Sequence, residues 1–270
     1  MAIVNRTPDS FYDRGATFAD EAALRRCDQV VAEGAAIIDI GGVKAGPGSL
    51  VDAAEEIDRV IPVIEAVAAR HPGVLISVDT WRAEVADLAI RAGAGLVNDT
   101  WAGHDPELVE VAGHHGVGYV CSHTGGVEPR TRPHRVHFDD VVTDVIAETT
   151  ALAERAVSVG VPEEKVFIDP THDFGKNTFH GLELLRRIDE LVATGWPVLM
   201  ALSNKDFVGE TVDRAVGDRL AGTLAATAWA AARGVAAFRA HEVAETVDVI
   251  RMTAAIAGHT APLNTIRGLA

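Results

Sequence analysis

This sequence predicts an α/β fold, a single-domain TIM (β/α)8 barrel over residues 1–270, on three observations. Short apolar, β-branched runs alternate eight times with stretches of helical period. The runs "AAIIDI", "VLISVD" and "VFIDP" are continuously apolar, as parallel strands covered on both faces are. Polar residues gather at the ends of many strands and not in one crevice, which favours a closed barrel over a doubly wound sheet.

The elements follow in order. Strand 2–5 delivers Asn5 into the polar loop "RTPDSF", the kind of position where α/β proteins place function, and helix 21–33 follows. Strand 36–41 leads to helix 49–70, strand 74–79 to helix 83–91, and strand 95–98 to helix 106–114. Strand 117–121 leads to helix 138–159, strand 166–169 to helix 181–192, strand 197–202 to helix 212–233, and strand 235–239 to helix 244–257.

Composition narrows the function. Hydrophobic residues make up 48% of the 270 residues, yet no run approaches the roughly 20 apolar residues that cross a bilayer. The first residues do not resemble a signal peptide, so a cytoplasmic protein with no membrane partner is expected. With 39 acidic against 24 basic residues the formal charge is −15, which disfavours nucleic acid and anionic membranes. An anionic ligand therefore needs locally clustered positive groups. Cys27 and Cys121 form neither a disulfide framework nor a metal spacing and are expected to be core thiols.

The strand ends carry Asn5, Asp39, Asp79, Asn98 with Asp99, Asp169, Ser203 to Lys205, and Arg239 with His241. One such residue is ordinarily a cap or turn former, and Asp79 and Asp99 each precede a helix. In a barrel, however, these ends converge on one mouth. Asp79, Asn98 and Asp169 suit the donor and acceptor edge of a heteroaromatic ring. Lys205, Arg239 and His241 suit a phosphate, and Asn5 beside Asp39 offers hard oxygens to a phosphate-bound Mg²⁺.

The segments "NRTPDSFYDRG", "GAAIIDIGG", "ISVDTWRAEVADLAIRAGAGLVND", "FIDPTHDFGKNTFHGLELL", "SNKDFVGE" and "FRAHEVAETVDVIR" resemble, in order and spacing, those of dihydropteroate synthase. The resemblance implies a barrel joining 6-hydroxymethyl-7,8-dihydropterin pyrophosphate to p-aminobenzoate with release of pyrophosphate, in folate synthesis. It implies Asp79, Asn98, Asp169 and Lys205 for the pterin, and Asn5, Arg239 and His241 for pyrophosphate, with Asn5 the contact for Mg²⁺. Lys205, Arg239 and His241 would carry the chemistry, which needs charge stabilisation at the leaving group more than a strong base. Phe174, Ser203 and Asp206 would lie on the acceptor side. A homodimer, and a lead segment that is missing before the first strand or lies upstream, are also implied.

The chain departs from that pattern on the acceptor side. The family's "GGESTRPG" reads "GGVKAGPG" here, so Val43, Lys44, Ala45 and Gly46 replace Glu, Ser, Thr and Arg. Arg6 replaces a small apolar residue, "SRKS" becomes "SNKD", and "MHM" at the fifth strand becomes "CSHT". Asp206 would set one carboxylate against another. The pterin half is therefore expected to be retained and the aminobenzoate half rebuilt, with that activity weak or lost. The alternatives are a transferase using another acceptor and a non-catalytic pterin-binding protein; a methyl-transferring pterin barrel fits the motifs less well. The loop "EPRTRPHRVH", with Arg130, Arg132 and Arg135, is expected either to restore anion-binding charge at the mouth or to be a solvated basic loop.

Overall fold

A computed structural model describes residues 1–7, 15–131 and 137–267. Six parallel strands form one sheet in chain order: β1 Ala2–Asn5, β2 Ile37–Gly41, β3 Leu75–Asp79, β4 Leu96–Asp99, β5 Gly118–Ser122 and β6 Val166–Asp169. β7 (Leu199–Met200) and β8 (Ala237–Phe238) pair in parallel. Single parallel bridges, Ile168 to Val198 and Ala2 to Ala240, join the two sheets at both edges and close the ring. The Ile3 amide donates to the Ala240 carbonyl at 3.1 Å and the Ile168 amide to Pro197 at 2.9 Å. The fold is the expected TIM barrel.

The two-residue alternation of a strand fixes what fills the ring. Leu96, Val120 and Leu199 pack with Ile37, Phe167 and Ala237 into an apolar plug inside the barrel. Two residues further along those strands come Asn98, Ser122, Ala201, Asp39, Asp169 and Arg239. The same inward face thus turns from apolar to polar within one repeat, at the carboxyl ends of the strands. The outward residues, among them Val4, Ile38, Ile40, Val78, Val97 and Ile168, join the core under the helices.

The helices are α1 Asp20–Ala32, α2 Ala53–Arg70, α3 Ala83–Ala92, α4 Leu108–His115, α5 Val141–Ser158, α6 Thr178–Arg186, α7 Ile188–Val192, α8 Asp206–Val212, α9 Leu220–Ala231 and α10 Val243–Ile256. Caps explain several boundaries that periodicity misses. α2 starts at 53, later than expected, because Asp52 accepts the Glu55 amide, and α5 starts at 141 because Asp140 accepts from Val142 and Thr143. The expected helix 181–192 begins earlier, where Asn177 and His180 form a capping box, and breaks at Arg187. The expected helix 212–233 is α8 and α9, parted where Asp213 takes a φ of 55°.

Cys27 and Cys121 are buried free thiols, as expected, and burial pushes Cys27 up to about 12. No helix among the described residues is long and apolar enough to cross a membrane.

Candidate functional site

The strand ends open into a cavity of about 800 Å³. Of the expected site residues, Asn5, Asp79, Phe174, Ser203, Lys205, Asp206, Arg239 and His241 line it. Asn98 and Asp169 do not; both are buried beneath its floor.

That floor is one connected network. Arg239 donates from Nε to Asp39 at 2.6 Å and from Nη2 to Asp79 at 2.7 Å. Asp39 also accepts from Ser77 Oγ at 2.6 Å and from Asn98 Nδ2 at 3.1 Å. The expectation that Asp39 stands beside Asn5 as a metal ligand is therefore corrected: it is fully buried, committed to three donors and away from the cavity lining. Asn98 keeps one buried acceptor, Oδ1, with no partner. Burial pushes Asp79 up to about 7, Arg239 pulling the other way, and pushes Asp169 up to about 6. Burial works against the Arg239 charge, but Asp39 and Asp79 outweigh it and hold its pKa above the ordinary value. Asp99 points elsewhere, accepting from the Trp101 amide at 3.0 Å and from Tyr119 Oη at 2.7 Å, so it is the turn former that its sequence position allowed.

The seventh and eighth strand ends are tied together. Asn204 takes a φ of 57°, an uncommon left-handed turn. It is held by Thr223 Oγ1, by Glu242 and by Arg219, whose Nη1 donates to its carbonyl at 2.8 Å. Ser203 Oγ donates to Glu242 at 2.9 Å and accepts the His241 amide at 3.2 Å. The turn sends Lys205 into the cavity, where it pairs with Asp173. The His241 carbonyl accepts from Arg26 at 2.6 Å, and burial holds its imidazole down to about 3, neutral with one N–H to give.

Two substituted positions, Asp206 and Arg6, and Arg130 of the fifth loop take partners that sequence position alone does not indicate. Asp206 ion-pairs with Arg219 at 2.9 Å, so its charge is matched from behind. Arg6 is 4% exposed and absent from the cavity lining. It donates to the carbonyls of Arg59, Thr17 and Phe18 and pairs with Asp20, pinning the return of the first loop to the barrel wall. Arg130 also stays off the cavity lining, its Nη1 reaching the Ser49 carbonyl at 2.6 Å. It ties the fifth loop to the second. Arg132, Arg135 and most of the "RTPDSF" loop lie outside the described residues.

Other lining residues carried no motif signal. Trp101 meets Phe174 edge to face at 4.5 Å between centroids. Lys176 donates to His123 Nδ1 at 2.8 Å and to the carbonyls of His123, Thr171 and Phe174. Burial lowers its pKa to about 7. His123 Nε2 in turn meets Asp144 at 2.7 Å and Glu148 at 3.3 Å. A Lys176 ammonium donating to Nδ1 leaves the ring proton on Nε2, which faces the two carboxylates, so lysine, histidine and acids form one hydrogen-bonded chain. Its only signal in the sequence is the pair of acids four apart on a helix opposite a strand-end histidine.

An eight-stranded barrel with a charge-paired polar mouth at its carboxyl end has the architecture of a TIM barrel whose strand ends open into a small-molecule-sized cavity. Residues 1–241 match the family described as pterin binding enzyme. The inactive dihydropteroate synthase 2 of Mycobacterium leprae is 63% identical over 274 residues, covering all of this chain and 94% of that protein. The solved dihydropteroate synthase of Yersinia pestis with a sulfonamide drug superposes with a TM-score of 0.90 at 35% identity, over 96% of this chain and 94% of that one. The Xanthomonas albilineans dihydropteroate synthase with 4-aminobenzoic acid gives 0.86 at 38% identity, over 95% and 92%. The chain belongs to the pterin-binding enzyme family, in its dihydropteroate synthase branch.

Proposed function

We propose that this protein binds a dihydropterin pyrophosphate in the retained half of its cavity and condenses it with p-aminobenzoate slowly or not at all. The observation that carries this reading is the asymmetry of the cavity. Asp79, Lys205, Arg239 and His241 line one part of it together, above a floor in which Asn98 keeps one acceptor, Oδ1, without a partner. The acceptor side lacks a cation at Gly46, and its Arg219 is already used by Asp206. The M. leprae relative is named inactive, and the X. albilineans relative carries 4-aminobenzoic acid.

Asn5 lines the cavity and supplies one amide oxygen, which suits Mg²⁺, an ion that takes few protein ligands and several phosphate oxygens. When bound, the ion would neutralise charge on the leaving pyrophosphate. Arg239 and His241 would hold that group, and Asp79 and Lys205 the pterin, with Asn98 supporting the floor beneath it. In the same reading the protein is cytoplasmic and dimeric; Trp229, Met252 and Ile256, exposed on α9 and α10, offer apolar surface for a second copy.

The test is calorimetric binding of 6-hydroxymethyl-7,8-dihydropterin pyrophosphate with Mg²⁺, followed by pyrophosphate release with and without p-aminobenzoate. Tight binding with little amine-dependent release is expected. Rapid release that depends on p-aminobenzoate would make the protein a working synthase. Rapid release without it would favour transfer to another acceptor.

A further inference from the structure

The outer half of the cavity differs chemically from its floor. Phe174, Phe179 and Phe207 wall it with rings, and Phe179 leaves 78% of its surface exposed. Asp206 and Glu210 stand four residues apart on α8, so both carboxylates project from one face of that helix and line the cavity. Like charges at that spacing repel, and a cation between them relieves the repulsion.

The positive groups nearby are already committed. Arg219 answers Asp206 from outside the lining and also holds the carbonyls of Asn204 and Arg214. Lys205 is paired with Asp173, while Glu210 accepts from the Thr178 hydroxyl, a neutral donor. Lys44 lines the cavity from the second loop.

A second observation is independent of the acids. His172 lines the same cavity, is 4% exposed, and packs on Phe207 with ring centroids 5.2 Å apart. Neither of its ring nitrogens makes a hydrogen bond of good geometry, though the Gly181 backbone is near enough to act on its pKa. Burial, with Lys176 and Lys205 adding to it, holds the imidazole at about 3 and therefore neutral, with a lone pair to offer. A buried nitrogen left unpaired is costly, and a ligand N–H removes that cost.

We propose that this outer half binds an aromatic amine whose far end is cationic, or neutral and rich in N–H groups, and not an aryl carboxylate. Asp206 and Glu210 take the far end, the phenylalanine rings hold the aromatic body, and His172 accepts a ligand N–H. The proposal rests on the pterin reading, in which the inner half holds the pterin.

Three para-substituted anilines of one shape test it: p-aminobenzamidine, p-aminobenzamide and p-aminobenzoate, titrated into protein saturated with 6-hydroxymethylpterin, pyrophosphate and Mg²⁺. The amidine is expected to bind at least tenfold more tightly than the benzoate, with the amide between. Glu210→Gln, at an exposed position, should remove most of that preference, and Asp206→Ser with Glu210→Gln should remove all of it. His172→Leu should weaken the amidine and the amide while leaving pterin affinity in place. If the pterin binds and the benzoate matches or exceeds the amidine, Lys44 is the far-end contact and the proposal falls. It falls equally if the pterin binds and no aniline does. If the pterin itself does not bind, the functional reading fails first.

Discussion

Arg239 lies between Asp39 and Asp79, so a pterin that uses Asp79 must share it with, or take it from, a guanidinium. The raised pKa values set a sign. An ordinary carboxylate ionises near 4, whereas burial holds Asp79 near 7 and Asp169 near 6. The folded protein therefore binds more protons than the unfolded chain between about pH 4 and 7. Stability from these two groups is complete below that window and is lost as pH rises through it. Pterin affinity runs oppositely if ionised carboxylates accept the ring N–H groups. It should rise between pH 5.5 and 8, and Asp79→Asn should flatten the upper part of that rise. A charged hydrogen bond contributes about 1.5–3 kcal/mol, so at pH 8 the variant should bind roughly 10- to 100-fold more weakly by calorimetry. Arg6 invites a different expectation. Arg6→Val removes donors from three backbone carbonyls and leaves Asp20 to solvent. At about 1 kcal/mol per bond it should cost roughly 2–3 kcal/mol in urea unfolding, with pterin affinity unchanged because the side chain is off the cavity lining. Unchanged stability would mean that Arg6 is a bystander.

Among the elements, the strands were legible because their inward positions change from apolar to polar over a fixed repeat, and Asn5, Asp79 and Arg239 each stand where that repeat puts them. The helices were less so. The break at Arg187 and the parting of α8 from α9 come from a backbone turn and a left-handed Asp213, neither of which alters the apolar period. The site was legible in its strand-end residues and opaque where side chains choose partners across loops. Arg6 faces the helices, Asp206 finds Arg219 thirteen positions later, and Arg130 of the fifth loop reaches Ser49 of the second; motif position encodes none of these directions. Close approach between elements is also hidden in the sequence. A Cβ at Gly113 of α4 would lie 2.3 Å from the Val159 carbonyl at the end of α5, a contact with backbone that cannot swing aside. Gly113→Ala should therefore push α4 from α5 and cost about 1–3 kcal/mol, the usual range for an overpacked contact. Chemical denaturation that leaves Gly113→Ala as stable as the parent would show the two helices free to separate there.

For the whole molecule, the barrel supplies one rigid floor and eight loops that can be exchanged without disturbing it, so a family member can keep one half of its chemistry and lose the other. In this chain the floor residues occupy the strands, while the departures fall after the first, second, fifth and seventh strands. The division can be tested by reversing it. A Cβ added at Gly46 meets only the Lys44 Cε, at 3.8 Å, so an arginine has room there. Asp206 is 82% exposed, and a serine in its place leaves Arg219 its carbonyl partners. Ala45→Thr, Gly46→Arg and Asp206→Ser together should raise p-aminobenzoate-dependent pyrophosphate release at least tenfold over the parent. Each change alone should do little, because the loop cation and the removal of the opposing carboxylate serve the same ligand end and are coupled. If the triple variant binds pterin as the parent does yet releases no more pyrophosphate, the defect lies in the floor. The first residue to test would then be Arg239, whose clamp on Asp39 and Asp79 would be holding the leaving-group cation away from its work.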